Sequence, residues 1–277
     1  LEEVSVVGGI SSYKNYKKLL EEELDILIVC LTNDIEPEVT IAALNAGLHV
    51  FCEKPPGRNV SDIIQVINVE KNNPNLKLMY GFNHRFHASI IDAVNIIRNG
   101  SLGKVVNLRG IYGKSNMISF NQTDWRTKRS ESGGGILLDQ GIHMLDLFRY
   151  FSNNEFKCLS SHLSTSFWDI ECEDNAFLTL KSSNDVIATL HSSATQWRHK
   201  FLLEMTFEEG YLNLDGILSE TRSYAPETLI VGQREFEDVT FAMGKPKQSI
   251  TYYEYDKSWD FELVEFIGAV RGNSSIV

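Results

Sequence analysis

The sequence predicts an α/β chain in two parts. The first is a Rossmann-like parallel-sheet domain, incomplete at its N-terminus. The second is an α+β domain with a large, mostly antiparallel sheet. Three observations predict this. Between residues 24 and 80, apolar runs alternate with helical stretches, the pattern of βαβ units in an open parallel sheet. From residue 157 onward, strands follow one another without intervening helices, as in an antiparallel or mixed sheet. Between the two patterns lies one strongly apolar helix that opens on three glycines, Gly133-Gly134-Gly135. The expected domains are 1–85 and 86–277, with a C-terminal helix that can return to the first domain.

The elements follow in order. Residues 4–7 read as a strand already inside a domain, and 13–23 as a short helix with Tyr16, Leu19 and Leu20 apolar. Residues 24–31 (LDILIVCL) read as a central parallel strand covered on both faces. A helix over about 37–45 stops at Gly47, a usual C-terminal residue. Residues 49–52 form a second buried strand, and 61–71 a helix capped by Ser61. Residues 76–80 form a third strand. In the second part, a strand at 105–112 leads through a polar loop with Asp124-Trp125-Arg126 to the apolar helix. Strands at 176–180, 186–192, 201–207 and 210–214 come next, the last two joined by a hairpin turn at Glu208-Glu209-Gly210. Residues 218–249 read as irregular and 259–270 as helical.

Composition narrows the function. Over 277 residues, 43% are hydrophobic and 23% charged, as in an ordinary water-soluble protein. A net charge of -11 argues against nucleic acid or an anionic membrane as partner. No uninterrupted apolar window of about 18 residues is present, so no transmembrane helix is expected. No basic segment followed by an apolar one opens the chain. The four cysteines form no C-x-x-C pair and read as free, mostly buried thiols in a reducing, cytoplasmic setting.

The apolar helix carries the first chemistry. Ile136, Leu137, Leu138, Ile142, Met144, Leu145, Leu147 and Phe148 point almost all round, so the helix is buried. Asp139, His143 and Asp146 fall at i, i+4 and i+7, on one side of it. Buried charge needs partners. The glycines let backbone or a ligand approach. Read alone, the pattern fits an acid beside a titratable base, a core histidine bonded to a carboxylate, or a shared cation. No other His or Cys lies at ligand spacing nearby, so no metal is expected.

The first part adds a second cluster. Open parallel sheets bind ligands at the carboxyl ends of their strands. Three successive strands end in Thr32-Asn33, in Glu53-Lys54-Pro55 and in Asn83-His84-Arg85. Lys54 stands out, since it follows an apolar strand and precedes two prolines that fix the backbone. The alternative for it is a solvated turn. Trp125 and Arg126, in the loop before the helix, can contact a substrate. Arg126 can meet a carboxylate or phosphate there, or simply face solvent.

With these residues in view, the chain resembles the Gfo/Idh/MocA family of NAD(P)-dependent sugar and inositol oxidoreductases. Residues 42–55 are similar to the family's A-L-x-A-G-x-H-V-x-x-E-K-P segment, 81–86 to its G-F-N-x-R-F, and 133–146 to its G-G-x-x-x-D-x-G-x-H-x-x-D signature. The resemblance implies hydride transfer between NAD or NADP and a hydroxyl or keto carbon of a sugar, nucleotide-sugar or cyclitol. It implies that Lys54 hydrogen-bonds the reacting hydroxyl. His143 would be general base in oxidation and general acid in reduction, a role suited to an unperturbed pKa of about 6.5. Asp139 would bind a substrate hydroxyl and tune His143. Leu31, Thr32, Asn33, Glu53, Lys54 and Asn83 would line the cofactor. Arg85, Trp125, Arg126, Asp139 and His143 would line the substrate. A homodimer or homotetramer built on the second sheet is the expected assembly.

The chain departs from the family pattern in places. Leu31-Thr32 replaces the usual Thr-Pro before Asn33, and Glu36 stands where the family often has His, which puts a cofactor contact there in doubt. No G-x-G-x-x-G turn opens the chain, and Gly8-Gly9 is not that motif. By the family pattern about fifty residues would precede Leu1, so the expectation is a piece of a longer protein, with NAD versus NADP decided outside it. Two other functions fit the motifs: a redox-neutral lyase or glycosidase-like enzyme with tightly held NAD, and a non-catalytic cofactor-binding regulator.

Overall fold

A computed structural model describes residues 11–116, 124–235, 240 and 247–276. The strand expected at 4–7 and Gly8-Gly9 lie outside them. The chain divides into two compact units, Leu1–Gly81 with Glu265–Val277, and Phe82–Val264.

In the first unit, β1 (Ile26–Val29), β2 (His49–Glu53) and β3 (Leu78–Gly81) form a parallel sheet in the order β1-β2-β3. Its register runs Ile28↔Phe51↔Met79. Ahead of the sheet lies the single turn α1 (Tyr16–Leu19), shorter than the helix expected over 13–23, with no buried residue to anchor it. Helices α2 (Glu36–Asn45) and α3 (Val60–Asn72) follow β1 and β2. Leu27, Val29, Val50 and Cys52 of the sheet pack on Val39, Ala43, Leu44 and Val66 of these helices. Gly47 takes a left-handed φ of +85° just past α2.

Among the described residues β1 pairs with β2 alone, and Ile28 is 55% exposed. Successive side chains point to opposite faces, so Leu27 and Val29 are buried while Ile28 faces away. The cap of α3 is Asn59 rather than Ser61, because its Oδ1 accepts the Asp62 N–H at 3.1 Å.

The second unit opens with the turn Asn83–Phe86 and helix α4 (Ala88–Arg98). Its sheet comprises β4 (Val105–Gly113), β5 (Phe156–Ser164), β6 (Asn175–Ser182), β7 (Ile187–Ser193), β8 (Lys200–Phe207), β9 (Gly210–Asp215), β10 (Glu227–Gln233) and β11 (Gln248–Tyr253). The order is β11-β10-β9-β8-β4-β7-β6-β5, with β4 and β7 parallel and every other pair antiparallel. One turn, α5 (Arg129–Ser132), precedes the apolar helix, α6 (Ile142–Ser152). The last helix, α7 (Ser258–Val270), has its residues from Glu265 onward in the first unit.

Residues 218–249 are therefore not wholly irregular, since β10 and the start of β11 fall in them. Strand β5 and helix α4 also had no counterpart in the sequence reading. Helix α4 buries Ile90, Ala93 and Val94, and α6 buries Met144, Leu147, Phe148 and Phe151, against Leu108, Leu190, Leu203 and Met205 of the sheet. Gly110 of β4 makes that packing possible. A Cβ there would sit 2.5 Å from Met144 Cγ and 2.9 Å from the Phe148 ring. Large side chains on β5, β6 and β11 stay exposed, among them Leu163, Phe177 and Tyr252. All four cysteines are free, but only Cys52 and Cys172 are buried.

Candidate active site

The glycine run before α6 is shaped by backbone packing. The Gly135 N–H donates to Glu173 Oε1 at 2.9 Å, and the Ile136 N–H to the Glu173 carbonyl at 3.0 Å. A Cβ on Gly135 would lie 2.0 Å from that carbonyl oxygen, so no larger residue fits. From this anchor the chain enters a wide i→i+5 turn, Leu137–Gly141, that runs directly into α6. Such turns are frequent at functional sites.

Asp139 lies on the wide turn and His143 in the first turn of α6. The Lys114 ammonium donates to Asp139 Oδ2 at 2.9 Å, and Arg126 Nε lies 3.5 Å from Oδ1. The Arg126 guanidinium stacks over the Trp125 ring at 4.5 Å, and Asp124 holds its backbone N–H at 2.9 Å. The loop residues named from sequence are thus brought to Asp139. Lys114 was missed. It sits just past the carboxyl end of β4, where the rule that singled out the ends of the first three strands would have found it.

His143 is 3% exposed. Its ring stacks face to face on His84 at 3.7 Å with 12° between planes, and Phe82 meets it edge-on at 6.0 Å. His84 was quoted in the sequence but not selected. Its Nδ1 lies 3.0 Å from Asn83 Oδ1 and its Nε2 2.9 Å from the Tyr112 hydroxyl. Burial holds the Tyr112 phenol well above its ordinary pKa, so it stays protonated. Beyond Tyr112, Tyr224 packs edge-on at 5.6 Å, and burial followed by the charge of Asp139 raises its phenol too. A cavity of about 440 Å³ opens there, lined by Gln196, His199, Lys200 and Tyr224.

Asp146 is turned to a different task from Asp139. It binds Arg85 with two hydrogen bonds, to Nε at 2.8 Å and to Nη2 at 2.5 Å. Burial pulls the Arg85 pKa down, but the hydrogen bonds and charge of Asp146 more than offset it. Arg85, expected to contact substrate, has its guanidinium engaged by Asp146 and stacked on Tyr150 at 5.0 Å. Asn83, expected at the cofactor, places its amide nitrogen 3.4 Å from Ser258 Oγ.

In the first unit the expected cofactor residues gather at the carboxyl ends of β1 and β2. Thr32 Oγ1 donates to Asp34 at 2.6 Å, Asn33 is buried, and the Lys54–Pro55 bond is cis. Glu36, at the start of α2, is 1% exposed. Its Oε1 accepts the Leu31 N–H at 3.3 Å, while its Oε2 is buried with no hydrogen-bond partner among the described residues. Burial, reinforced by Glu53 and opposed by the Leu31 hydrogen bond and Lys54, pushes its pKa up to about 8. An orphaned carboxyl oxygen beside Asn33 and Lys54, at a sheet edge of this type, suits a nicotinamide cofactor.

Glu36 also carries a pH dependence. Its folded pKa lies above the ordinary 4.5, so between about pH 4.5 and 8 the folded chain holds a proton that the unfolded chain has lost. This contribution is present in full below pH 4.5 and is lost as pH rises toward 8. Glu36→Gln keeps the acceptor for Leu31 without the ionisation. It is expected to change the melting temperature little near pH 4.5 and to stabilise by ~1–3 kcal/mol above pH 8. Calorimetry showing a gain that does not grow with pH would refute this.

Among the described residues, no group of three or more His, Cys, Asp or Glu is placed to hold a metal ion, and no helix is long and apolar enough to cross a membrane.

Comparison with known proteins follows the same lines. Residues 2–82 match the model of an oxidoreductase family with an NAD-binding Rossmann fold, and residues 90–213 match the GFO/IDH/MocA C-terminal domain. A levoglucosan dehydrogenase of Pseudarthrobacter phenanthrenivorans is 28% identical over 57% of this chain and 40% of its own length. A myo-inositol 2-dehydrogenase of Thermotoga maritima is 31% identical over 54% of this chain and 42% of its own. An inositol 2-dehydrogenase of Salmonella typhimurium is 22% identical over 82% and 66%. The chain thus spans two thirds or less of the length of these relatives. A solved levoglucosan dehydrogenase in complex with NADH superposes with a TM-score of 0.86 at 19% identity, covering 99% of this chain and 78% of that one, which establishes a shared fold. Two family domains matched in sequence order, carried on a three-stranded parallel sheet and an eight-stranded mixed one, place the chain in the Gfo/Idh/MocA oxidoreductase family.

Proposed function

We propose that the protein is an NAD(P)-dependent dehydrogenase or reductase acting on a CH–OH group of a sugar or cyclitol, in the cytoplasm. The observation that carries this reading is a buried titratable ring, His143, four residues along the chain from a carboxylate, Asp139, held by Lys114 and Arg126. The nicotinamide supplies the hydride chemistry when bound. Lys54 hydrogen-bonds the reacting hydroxyl and favours loss of its proton. His143 takes that proton in oxidation and returns it in reduction. Asp139 and its two cations orient substrate hydroxyls. Leu31, Thr32, Asn33, Glu53 and Lys54 hold the nicotinamide half. Trp125 and Arg126 border the substrate. Arg85 serves as a buttress through Asp146 rather than as a substrate contact. Relatives named for levoglucosan and myo-inositol support the substrate class.

The test mixes purified protein with NAD or NADP and, in turn, myo-inositol, levoglucosan and simple glycosides, and follows the absorbance of the reduced nicotinamide. Accumulation of reduced cofactor with one of them is expected. Product without net reduction would favour the redox-neutral enzyme, and binding of cofactor with no turnover of any substrate would favour the regulator. We also assign the exposed face carrying Phe177 to a subunit interface of a homodimer or homotetramer. Light scattering at micromolar concentration is expected to give a multiple of the chain mass, and a monomer would count against it.

A further inference from the structure

We propose that His84 is the positioning residue of His143: a neutral imidazole, tied at both ring nitrogens, that fixes the plane of the acid–base ring by stacking on it. The inference rests on the reading of His143 as the acid–base group.

Both rings are buried, His84 at 7% exposure and His143 at 3%, and at 3.7 Å and 12° they lie in parallel contact. The partners of His84 suit one protonation state. Nδ1 faces Asn83 Oδ1, and a carbonyl oxygen only accepts, so Nδ1 carries a hydrogen. The Asn83 amide nitrogen reaches Ser258 Oγ at 3.4 Å, which turns Oδ1 toward the ring. Nε2 faces the Tyr112 hydroxyl, a phenol that burial keeps protonated and so able to donate to it. A ring that gives at Nδ1 and receives at Nε2 is a neutral imidazole in one tautomer.

This matters for a neighbour that must gain and lose a proton. A protonated His84 would set a second positive charge at stacking distance and oppose protonation of His143. A neutral ring presents its π face instead, which tolerates or favours an adjacent cation. His87, 5.6 Å from the His84 ring, gives Nδ1 to Glu227 at 3.0 Å and has Nε2 3.9 Å from Asp256. Tyr224 lies behind Tyr112, Asp139 with Lys114 lies one turn before His143, and Asp146 with Arg85 lies after it. A purely space-filling His84 would need none of the hydrogen-bonded locking.

The test has a readout independent of turnover. Ring proton–nitrogen correlation spectra are recorded for the wild type, His84→Ala, His84→Phe and Tyr112→Phe, with His143 identified by the signals that vanish in His143→Gln. In the wild type, His84 is expected as one neutral tautomer across neutral pH, with sharp His143 signals. His84→Ala is expected to broaden or displace the His143 signals, and His84→Phe, which keeps a flat ring, to restore them. Tyr112→Phe removes one oxygen and is expected to let His84 titrate, so it carries the test should His84→Ala not fold. In turnover, His84→Ala is expected to lower kcat by about 10–100-fold with KM changed less than about threefold, and His84→Phe to recover most of it. His143 signals unmoved by His84→Ala, or a His84 ring protonated at neutral pH in the wild type, would overturn the proposal. If His143→Gln keeps full turnover, the acid–base reading fails instead. If it is inactive while His84→Ala turns over normally, the positioning role alone fails.

Discussion

His143→Ala and Lys54→Ala are each expected to lower turnover by about 10²–10⁴-fold, the usual contribution of a positioned acid–base group. The reasoning differs for the two. His143 is enclosed, so its loss removes the only group proposed to move the hydroxyl proton, and solvent reaches the position poorly. Lys54 acts through charge, so its loss leaves the hydroxyl with its ordinary reluctance to ionise. Steady-state kinetics with the substrate found by the cofactor screen checks both. The circular dichroism spectrum of both variants, and the cofactor affinity of His143→Ala read by quenching of protein fluorescence, are expected to stay near wild type. Either variant turning over at the wild-type rate would refute its assigned role.

The second large effect is on stability. Asp146→Ala is expected to cost ~3–5 kcal/mol, because it strands the mostly buried Arg85 guanidinium. Only 5% of the Asp146 side chain is exposed, against 20% for Arg85, so water can relieve little of the loss. The pair itself is worth less than this figure, since desolvation offsets most of its attraction. The double variant Arg85→Met, Asp146→Leu is therefore expected to recover much of the deficit. Urea denaturation midpoints give both numbers. A double variant no more stable than Asp146→Ala would mean that the pair, not the stranded charge, carries the energy.

Much of the first unit was legible because parallel strands buried among helices are written as apolar runs. Residues 49–52 became β2 with one residue added. The second sheet was legible only where burial alternates cleanly, as in β8. Strand β11, QSITYY, is exposed along almost its whole length, so no inward face marked it. Helix α4 carried a readable stripe at Ile90, Ala93, Val94 and Ile97, but the break between the two patterns drew attention away from it. In the candidate site, Asp139 and His143 could be singled out because they lie four residues apart on one continuous stretch. The contacts of His84 with His143, and of Lys114 with Asp139, join segments about 59 and 25 residues apart, and only the packing of the folded unit brings them together.

The wide turn at Leu137–Gly141 bears on how this segment can change. The wide turn holds one residue more than an ordinary helical turn, so one residue removed there would close it and shift Asp139 from its present place between Gly135 and His143. Asp139 would leave Lys114 and Arg126, and Gly135 would lose its seat against Glu173. Side chains at Leu138 or Gln140 can vary within their space, whereas the number of residues between Gly135 and His143 cannot. The spacing of the signature is a mechanical dimension, and a shift of one position would break it more surely than most replacements within it.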